Sequence, residues 1–400
     1  MTNVASQPRY FSILCTGSAL AGDLTGCQPR EQRLRRQHAI LRLERLWALA
    51  NVFASSDDNS MPTSGIRGIS YAQTQAGKIE TKGAKHADSQ YQLLSRQIQY
   101  GAIGMYGAVA GVLRFWDSRT MQLTPDLGDK LGKAFLRETK IPAEIQRAAL
   151  SDEPVPISML TEWGNRAHIS SDSGDEESDC LNTALHLNPV RSRMARTLFD
   201  NPAQDDEPEL IRIQRIVKDL TGDAQNADLQ EGCTIILCYE KVYRLLLMGF
   251  ERLLRRCKDE GEVPVAALRG DRVFGRVRHD LPRLVDELLE AIDRVQTAYY
   301  RNDHDRLDDV RWFVEAAAQA APDSDAFVRA LIVRHRDVQQ GKIDKGRRKL
   351  PWIDGSGNSL RLTLTHIGGR RDVVEDPDQI APHYYRLAAT DNLIRASRMS

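Results

Sequence analysis

Two His-Asp pairs are the residues whose types and spacing best suit metal-dependent chemistry. Adjacent His and Asp side chains can hold a metal ion that activates water for the hydrolysis of phosphate esters. On a helix, Asp305 and Asp309 would lie four residues apart on one face. The alternative is that these carboxylates stabilise the positive end of a helix. The pairs are His279-Asp280 and His304-Asp305, with Asp303 and Asp308 beside the second pair.

A Glu-x-Lys sequence is a second candidate for metal-dependent cleavage. Glu80 and Lys82 have the spacing that restriction-type nucleases use to hold a metal ion and a water, and Asp57 and Asp58 lie upstream. Such nucleases place this sequence on a strand. Here the neighbouring residues are Gly, Lys and Gln, so a chance occurrence is the alternative.

A third candidate is an arginine followed at short distance by a histidine. Arg272 and His279 have six residues between them, and Arg33 and His38 have four. This spacing resembles that of helical RNases of the HEPN class. The chain contains many arginines, so a solvated basic turn is the alternative for both pairs.

The cysteines do not predict a metal centre. Zinc sites usually take their ligands from closely spaced pairs, and no CxxC sequence is present. We therefore expect reduced thiols in a cytoplasmic protein. We predict no catalytic residue, no metal and no cofactor, with a helical nuclease or a metal-dependent phosphohydrolase as the alternative function. The six cysteines are Cys15, Cys27, Cys180, Cys233, Cys238 and Cys257.

A basic run near the C-terminus is the best candidate for binding a polyanion. Residues 342–349 contain five basic side chains and one acidic one, and Trp352 follows closely. A basic loop beside an aromatic ring suits contacts to a nucleic-acid backbone and stacking on a base. The alternative is a solvated loop. The predicted phosphate contacts are Lys342, Lys345, Arg347, Arg348 and Lys349.

Residues 91–137 predict a compact module of helices around a turn. We expect helices at 91–98, 103–115 and 126–137, with a turn at 117–119 and a short extended piece at 121–123. Thr124 suits an N-cap position and Pro125 the first helical residue. A second set of predicted phosphate contacts lies in this module: Arg114, Arg119 and Lys130.

The same module resembles bacterial winged-helix proteins. Their phrase LT..G..LA..F resembles residues 123–135 at Leu123, Thr124, Gly128, Leu131 and Phe135, with one additional residue before the first glycine and a glycine in place of the alanine. The resemblance implies that one helix enters the major groove while the wing touches the backbone. The helix at 103–115 is rich in Gly and Ala and has few side chains that could read bases. A role in packing or in protein interaction is therefore the alternative.

Composition and charge exclude several classes of protein. The 400 residues include 55 basic and 55 acidic side chains, and 41% are hydrophobic. These values exclude a disordered chain and a protein that binds nucleic acid over its whole surface. No stretch reaches 18 apolar residues, so we predict no membrane partner. The formal net charge of zero is a sum over separate regions. It combines acidic segments at 170–179 and 200–209 with basic runs at 30–45 and 342–349.

The elements predict a mainly α protein. Leu43, Trp47 and Ala50 recur at helical spacing, with Arg42, Glu44 and Arg45 on the other, polar face. The stretch 65–85 reads as irregular, and the C-terminal half as a helical bundle with a small β element near 360–364. We predict an N-terminal domain at 1–169, an acidic linker at 170–208 and a helical domain at 209–400.

Three other segments resemble uncharacterised bacterial proteins from restriction and phage-defence neighbourhoods. They are Arg9-Tyr10-Phe11-Ser12, residues 42–50 and Gly65-Ile66-Arg67-Gly68. The resemblance implies a subunit of a larger assembly with other protein subunits. We predict a non-enzymatic component of anti-phage defence that binds nucleic acid, DNA rather than RNA. The alternative is a protein-interaction scaffold that uses the apolar helix at 101–112.

Overall fold

The chain is mainly α-helical, as predicted. A computed structural model describes residues 6–22, 24, 26–57, 61–294, 304–344, 347–355, 357–363, 376–381, 383 and 387–398. Contacts divide the chain into two compact units. Unit 1 runs to Pro202 and includes the C-terminal helix after residue 383, and unit 2 runs from Ala203 to His383. The boundary thus lies inside the predicted linker, but the last residues belong to unit 1.

Unit 1 contains eleven of the described α-helices and one short antiparallel strand pair. The helices are α1 (Arg9–Leu20), α2 (Pro29–Asp57), α3 (Ile69–Thr81), α4 (Gln97–Tyr100), α5 (Ala102–Val112), α6 (Gly128–Glu138), α7 (Ala143–Leu150), α8 (Ile157–Arg166), α9 (Asp175–His186), α10 (Pro189–Asp200) and α16 (Leu387–Ala396). The strands are β1 (His86–Ala87) and β2 (Val155–Pro156), with Ala87 opposite Val155.

Helices α1 and α2 form the centre of unit 1. Helix α2 contacts α1, α3, α7 and α8, and almost every residue of α1 is buried. The Tyr10 ring of α1 stacks on Tyr106 of α5, with ring centroids 4.5 Å apart, and meets the Trp47 ring of α2 edge-on at 5.1 Å. At Gly17 the two helices cross so closely that a Cβ would lie 2.7 Å from the Ile40 Cα.

The polar face predicted for α2 is wrong at one position. Glu44 is fully buried, whereas Arg42 and Arg45 keep partial exposure. The Gln97 Nε2 donates to Glu44 at 2.7 Å, and the Ala102 backbone N–H donates to it at 2.8 Å. The carboxyl group therefore joins α2 to the beginning of α5, a tertiary contact that periodicity does not report.

Two segments predicted to lack regular structure are helical. Residues 69–81 form α3, which buries Ala72, Ala76 and Ile79 at helical spacing. Within the predicted acidic linker, α9 begins with three acidic residues in its first turn, where the helix dipole favours negative charge. Glu177 of α9 is buried in an ion pair with Arg9 of α1, so this part of the segment is packed into unit 1.

The module at 91–137 differs from the prediction at its first helix and at the start of its last. Residues 91–96 are not helical, and α4 has only four residues. Helix α6 begins at Gly128 with Leu127 at the N-cap position, so Thr124 and Pro125 precede the helix start. Between α5 and α6 the chain turns at Asp117, whose carboxylate accepts the backbone N–H groups of Arg119 and Thr120 at 2.9 Å. Trp116 and Leu123 make a single antiparallel bridge there. A winged helix stays a prediction for this segment.

Unit 2 is a helical bundle with small β elements, as predicted for the C-terminal half. Its helices are α11 (Glu209–Asp219), α12 (Ala227–Glu260), α13 (Arg272–Arg294), α14 (His304–Ala320) and α15 (Ser324–Gln340). Its strands are β3 (Glu262–Pro264), β4 (Ile343–Asp344), β5 (Arg347–Arg348), β6 (Ile353–Asp354) and β7 (Ser359–Leu362).

The long helices α12 and α13 pack along each other and supply most of the core of unit 2. Phe274 of α13 meets Phe327 of α15 at right angles, with ring centroids 6.4 Å apart. Asp323 is the N-cap of α15, since its carboxylate accepts the backbone N–H of Asp325 at 2.8 Å. Strands β3, β7 and β6 form a three-stranded antiparallel sheet beside α12. In the described ranges, no helix has both the length and the apolar character that crossing a membrane requires.

Candidate nucleic-acid interface

The basic run at 342–349 is a β-hairpin rather than the predicted loop. Strands β4 and β5 pair antiparallel, with Ile343 opposite Arg348, and the Lys349 backbone N–H donates to the Lys342 carbonyl at 3.0 Å. Lys342 and Lys349 therefore form the closing pair of the hairpin, and both side chains are exposed. Lys345 lies outside the described residues. So do the side chains of Arg347 and Arg348, whose backbone forms β5.

An aromatic cluster lies directly after this hairpin in the chain. The His335 ring of α15 contacts Phe250 of α12 and Trp352, with ring centroids 4.6 Å and 5.2 Å away, and the Phe250 and Trp352 centroids lie 6.5 Å apart. The Trp352 backbone N–H donates to the His335 Nε2 at 2.9 Å, which fixes the start of the segment after the hairpin. Trp352 remains 37% exposed, so part of its indole is open to a ligand.

His335 is held neutral in this cluster. Burial, and to a smaller degree the positive charge of Lys342, lower the pKa of His335 to about 4. At neutral pH the Nε2 therefore carries a lone pair, as its bond from Trp352 requires, and the proton lies on Nδ1.

The surroundings of the hairpin are strongly basic. Residues 334–349 contain seven basic and two acidic side chains, a formal net charge of +5. Arg336 makes one ion pair, to the adjacent Asp337 at 3.6 Å, and such a surface pair adds little stability. Proteins that bind single-stranded nucleic acid combine a basic surface with exposed aromatic rings. The basic side chains contact the phosphates, and a base stacks on the ring.

The second predicted set belongs to unit 1. Arg114, Arg119 and Lys130 are all exposed, at the end of α5, in the turn and in the first turn of α6. The Thr124 hydroxyl donates to the Arg114 carbonyl at 2.6 Å and accepts the Gly128 backbone N–H at 3.1 Å, so it ties the two helix ends together. The basic hairpin lies in unit 2, so the two predicted sets belong to different units.

Helix α5 is poorly suited to enter a DNA groove. Its residues Ile103, Tyr106 and Val109 are buried, and the helix packs against α1 and α2 of the same unit. The small residues predicted to serve a partner protein thus serve packing within the chain. Val112, at its end, is 66% exposed.

None of the described residues considered as catalytic candidates for the alternative function lies in an assembled site. His279 is 87% exposed and contacts Asp280 at 2.8 Å on the surface of α13. Arg272 begins the same helix and is also exposed. The side chains of His304, Asp305 and Asp309, and residue Asp303, lie outside the described residues. Glu80 and Lys82 are exposed at the end of α3, a helix and not a strand. No group of three or more potential metal ligands occurs in the described part of the chain.

Sequence reasoning missed His335 as a member of this interface. Seventeen residues separate it from Trp352, and no local pattern joins the two. For the hairpin the sequence contained one signal, a glycine at position 346 within the basic run. Comparison with family models, with curated proteins and with solved structures finds no match for this chain.

Proposed function

We propose that this chain is a non-enzymatic nucleic-acid-binding protein that uses the hairpin at 342–349 and Trp352 as its contact surface. One observation supports the proposal above the others: two exposed lysines close a basic hairpin, and Trp352, three residues after it, keeps 37% of its surface exposed. The five basic residues of the hairpin would neutralise phosphates. The indole would stack on a base, because every base has a face that suits an aromatic ring.

The proposal includes DNA as the preferred nucleic acid and other protein subunits as partners. These two features depend on the resemblance to winged-helix and phage-defence proteins. A fluorescently labelled strand of 20 nucleotides, made as single-stranded DNA, as RNA and as duplex DNA, tests the preference by anisotropy. Tighter binding of RNA than of both DNA forms would contradict it. Purification of the tagged chain from its own host tests for subunits that remain bound.

The stacking contribution is tested at Trp352. Base stacking on an aromatic side chain contributes about 1–3 kcal/mol, so Trp352→Ala should weaken binding of single-stranded DNA by roughly 5- to 150-fold. Trp352→Phe, which keeps a ring, should recover most of that loss. The bond to His335 comes from the Trp352 backbone and remains possible in both variants. Equal affinity of the wild type and the alanine variant would remove Trp352 from the interface.

A further inference from the structure

Unit 1 contains a cavity of about 480 Å³, within the size range of small-molecule sites. Its walls are the residues that precede α1, the loop at 169–173 and the last turn of α16. The lining is mainly polar, with serine hydroxyls, amide groups and three guanidinium groups. No sequence motif pointed to these residues, because they come from three distant parts of the chain.

Two of the three guanidinium groups hold the loop in place. Arg9 is buried in its ion pair with Glu177, and its Nη2 donates to the carbonyls of Ser171 and Asp172 at 2.9 and 2.8 Å. Arg398 pairs with Asp175 and donates to the Ser173 carbonyl at 2.7 Å. These bonds hold the loop in place as one wall of the cavity. The carbonyls of Ser171, Asp172 and Ser173 already accept hydrogen bonds from the two arginines.

One positive and one negative charge on the walls remain uncommitted. Arg395 and Asp172 line the cavity and are exposed, and neither has an ion-pair partner among the residues that the structure describes. They also make no ion pair with each other, so more than 4 Å separates their charged atoms. An isolated anion in the cavity would meet Asp172, and an isolated cation would meet Arg395.

Ser170 adds an oriented hydroxyl group to the wall. Its Oγ lies 2.7 Å from the Nδ1 of the fully buried His168, and its backbone N–H donates to the same atom at 3.3 Å. The Nδ1 is therefore the acceptor, and Nε2–H donates to the Ser55 Oγ at 3.2 Å. Since the Ser170 hydroxyl proton is used by His168, its oxygen lone pairs are left to accept from a ligand.

The Ser170–His168 pair is suited to binding and not to nucleophilic catalysis. A serine nucleophile needs a base that can accept its proton and become an imidazolium. Burial, and after it the positive charge of Arg9, lower the pKa of His168 and so oppose the imidazolium. The pair thus orients the hydroxyl group without activating it.

We infer that this cavity binds a small zwitterion, a free α-amino acid. The ligand carboxylate pairs with Arg395, which can donate two parallel hydrogen bonds to it. The ligand ammonium group donates to the Asp172 carboxylate and to the Ser170 Oγ. A zwitterion is the ligand that satisfies both uncommitted charges at once.

The full-length chain tests this inference by calorimetry against each of the twenty L-amino acids at concentrations up to 10 mM. At least one should bind. Its N-acetyl derivative, which lacks the ammonium group, and its carboxamide, which lacks the carboxylate, should each bind at least tenfold more weakly. Absence of binding by all twenty overturns the inference, as does equal binding of the N-acetyl derivative, which would indicate a plain anion site.

Substitutions locate the ligand. Arg395→Gln and Asp172→Asn are changes of exposed residues, and each should weaken binding at least tenfold. In Asp172→Asn the N-acetyl derivative should no longer be worse than its parent. Lys82→Gln, an exposed change on the surface after α3, is the control and should leave affinity unchanged. Binding that survives both cavity substitutions overturns the assignment. The outcome is independent of nucleic-acid binding, because the hairpin lies in unit 2.

Discussion

The buried carboxyl group of Glu44 should make the stability of unit 1 depend on pH. Burial raises the pKa of Glu44 to about 7, and the bonds from Gln97 and Ala102 only partly oppose that rise. The charged and titratable groups coupled to it include Arg45, Arg67 and the phenols of Tyr10, Tyr91 and Tyr106. The folded state therefore holds this proton over a pH range in which the unfolded chain has lost it.

The direction and size of the effect follow from linkage. A folded-state pKa above the unfolded value of about 4.5 means that stability is greatest below pH 4.5 and falls as pH rises through 7. Within that window, each rise of one pH unit lowers the free energy of unfolding by about 1.4 kcal/mol. Between pH 5.5 and pH 8 the expected loss from Glu44 alone is about 2 kcal/mol.

Glu44→Gln isolates this contribution. The amide does not titrate, so the variant should lack that loss. It also has one accepting oxygen where Glu44 has two, and its NH₂ group would face a donor, from either Gln97 or the Ala102 backbone. The variant should therefore be less stable than the wild type by about 1–3 kcal/mol at pH 5.5. At pH 8 the difference should shrink or reverse.

Urea unfolding at the two pH values measures both free energies. Trp47, Trp116 and Trp163 are buried in unit 1, so a background with Trp312→Phe and Trp352→Phe makes tryptophan fluorescence report on that unit. Other titrating groups affect both proteins equally and cancel in the difference. A stability difference between wild type and Glu44→Gln that is the same at pH 5.5 and pH 8 would refute the reasoning.

Two further predictions concern packing and the aromatic cluster. Gly17→Ala should destabilise unit 1 by about 1–3 kcal/mol, because its Cβ would meet backbone of α2. Gly77→Ala on α3, where a Cβ meets nothing within 4 Å, is the control and should stabilise by up to about 1 kcal/mol; equal effects in urea unfolding would contradict the close crossing. For His335, NMR titration assigned with His335→Asn should give a midpoint near pH 4, with stability lost as pH falls from 6.5 through 4. A midpoint above pH 6 would show that the ring is not held neutral.

The helices of unit 2 were predictable because their apolar residues repeat at steps of three and four. Tyr239, Tyr243 and Leu246 recur at such steps within α12, and Asp323 lies directly before α15 and caps it. Residues close together in the sequence determine both features, so a short stretch of sequence is enough to predict the helix and its cap.

Unit 1 was harder to predict because its helices depend on distant partners. Helix α3 buries two alanines and one isoleucine, a weak apolar signal among Gly, Ser, Thr and Lys. The acidic residues of α9 indicated a mobile segment by composition. Their position at a helix N-terminus was the signal for the correct structure, and the partner of Glu177 is Arg9, 168 residues away.

The candidate interface was predictable in part. The cluster of basic residues and Trp352 was visible in the sequence, because charge segregates locally. The hairpin pairing, the contact between Trp352 and His335 and the burial of α5 in the core of unit 1 arise from tertiary packing. The cavity residues share no pattern at all, since Arg9, Ser170 and Arg395 meet only in the fold.

The salt dependence of nucleic-acid binding tests the central claim most directly. On single strands, each neutralised phosphate contributes about 0.7 to the slope of log K against log salt concentration. Lys342→Glu with Lys349→Glu should therefore flatten the slope by about 1.4 and weaken binding of single-stranded DNA at least tenfold. Lys218→Glu with Lys258→Glu, an equal charge change at exposed sites of unit 2, should leave the slope unchanged. An unchanged slope in the hairpin variant, or the same loss in both variants, would contradict a localised phosphate-binding surface at residues 342–349.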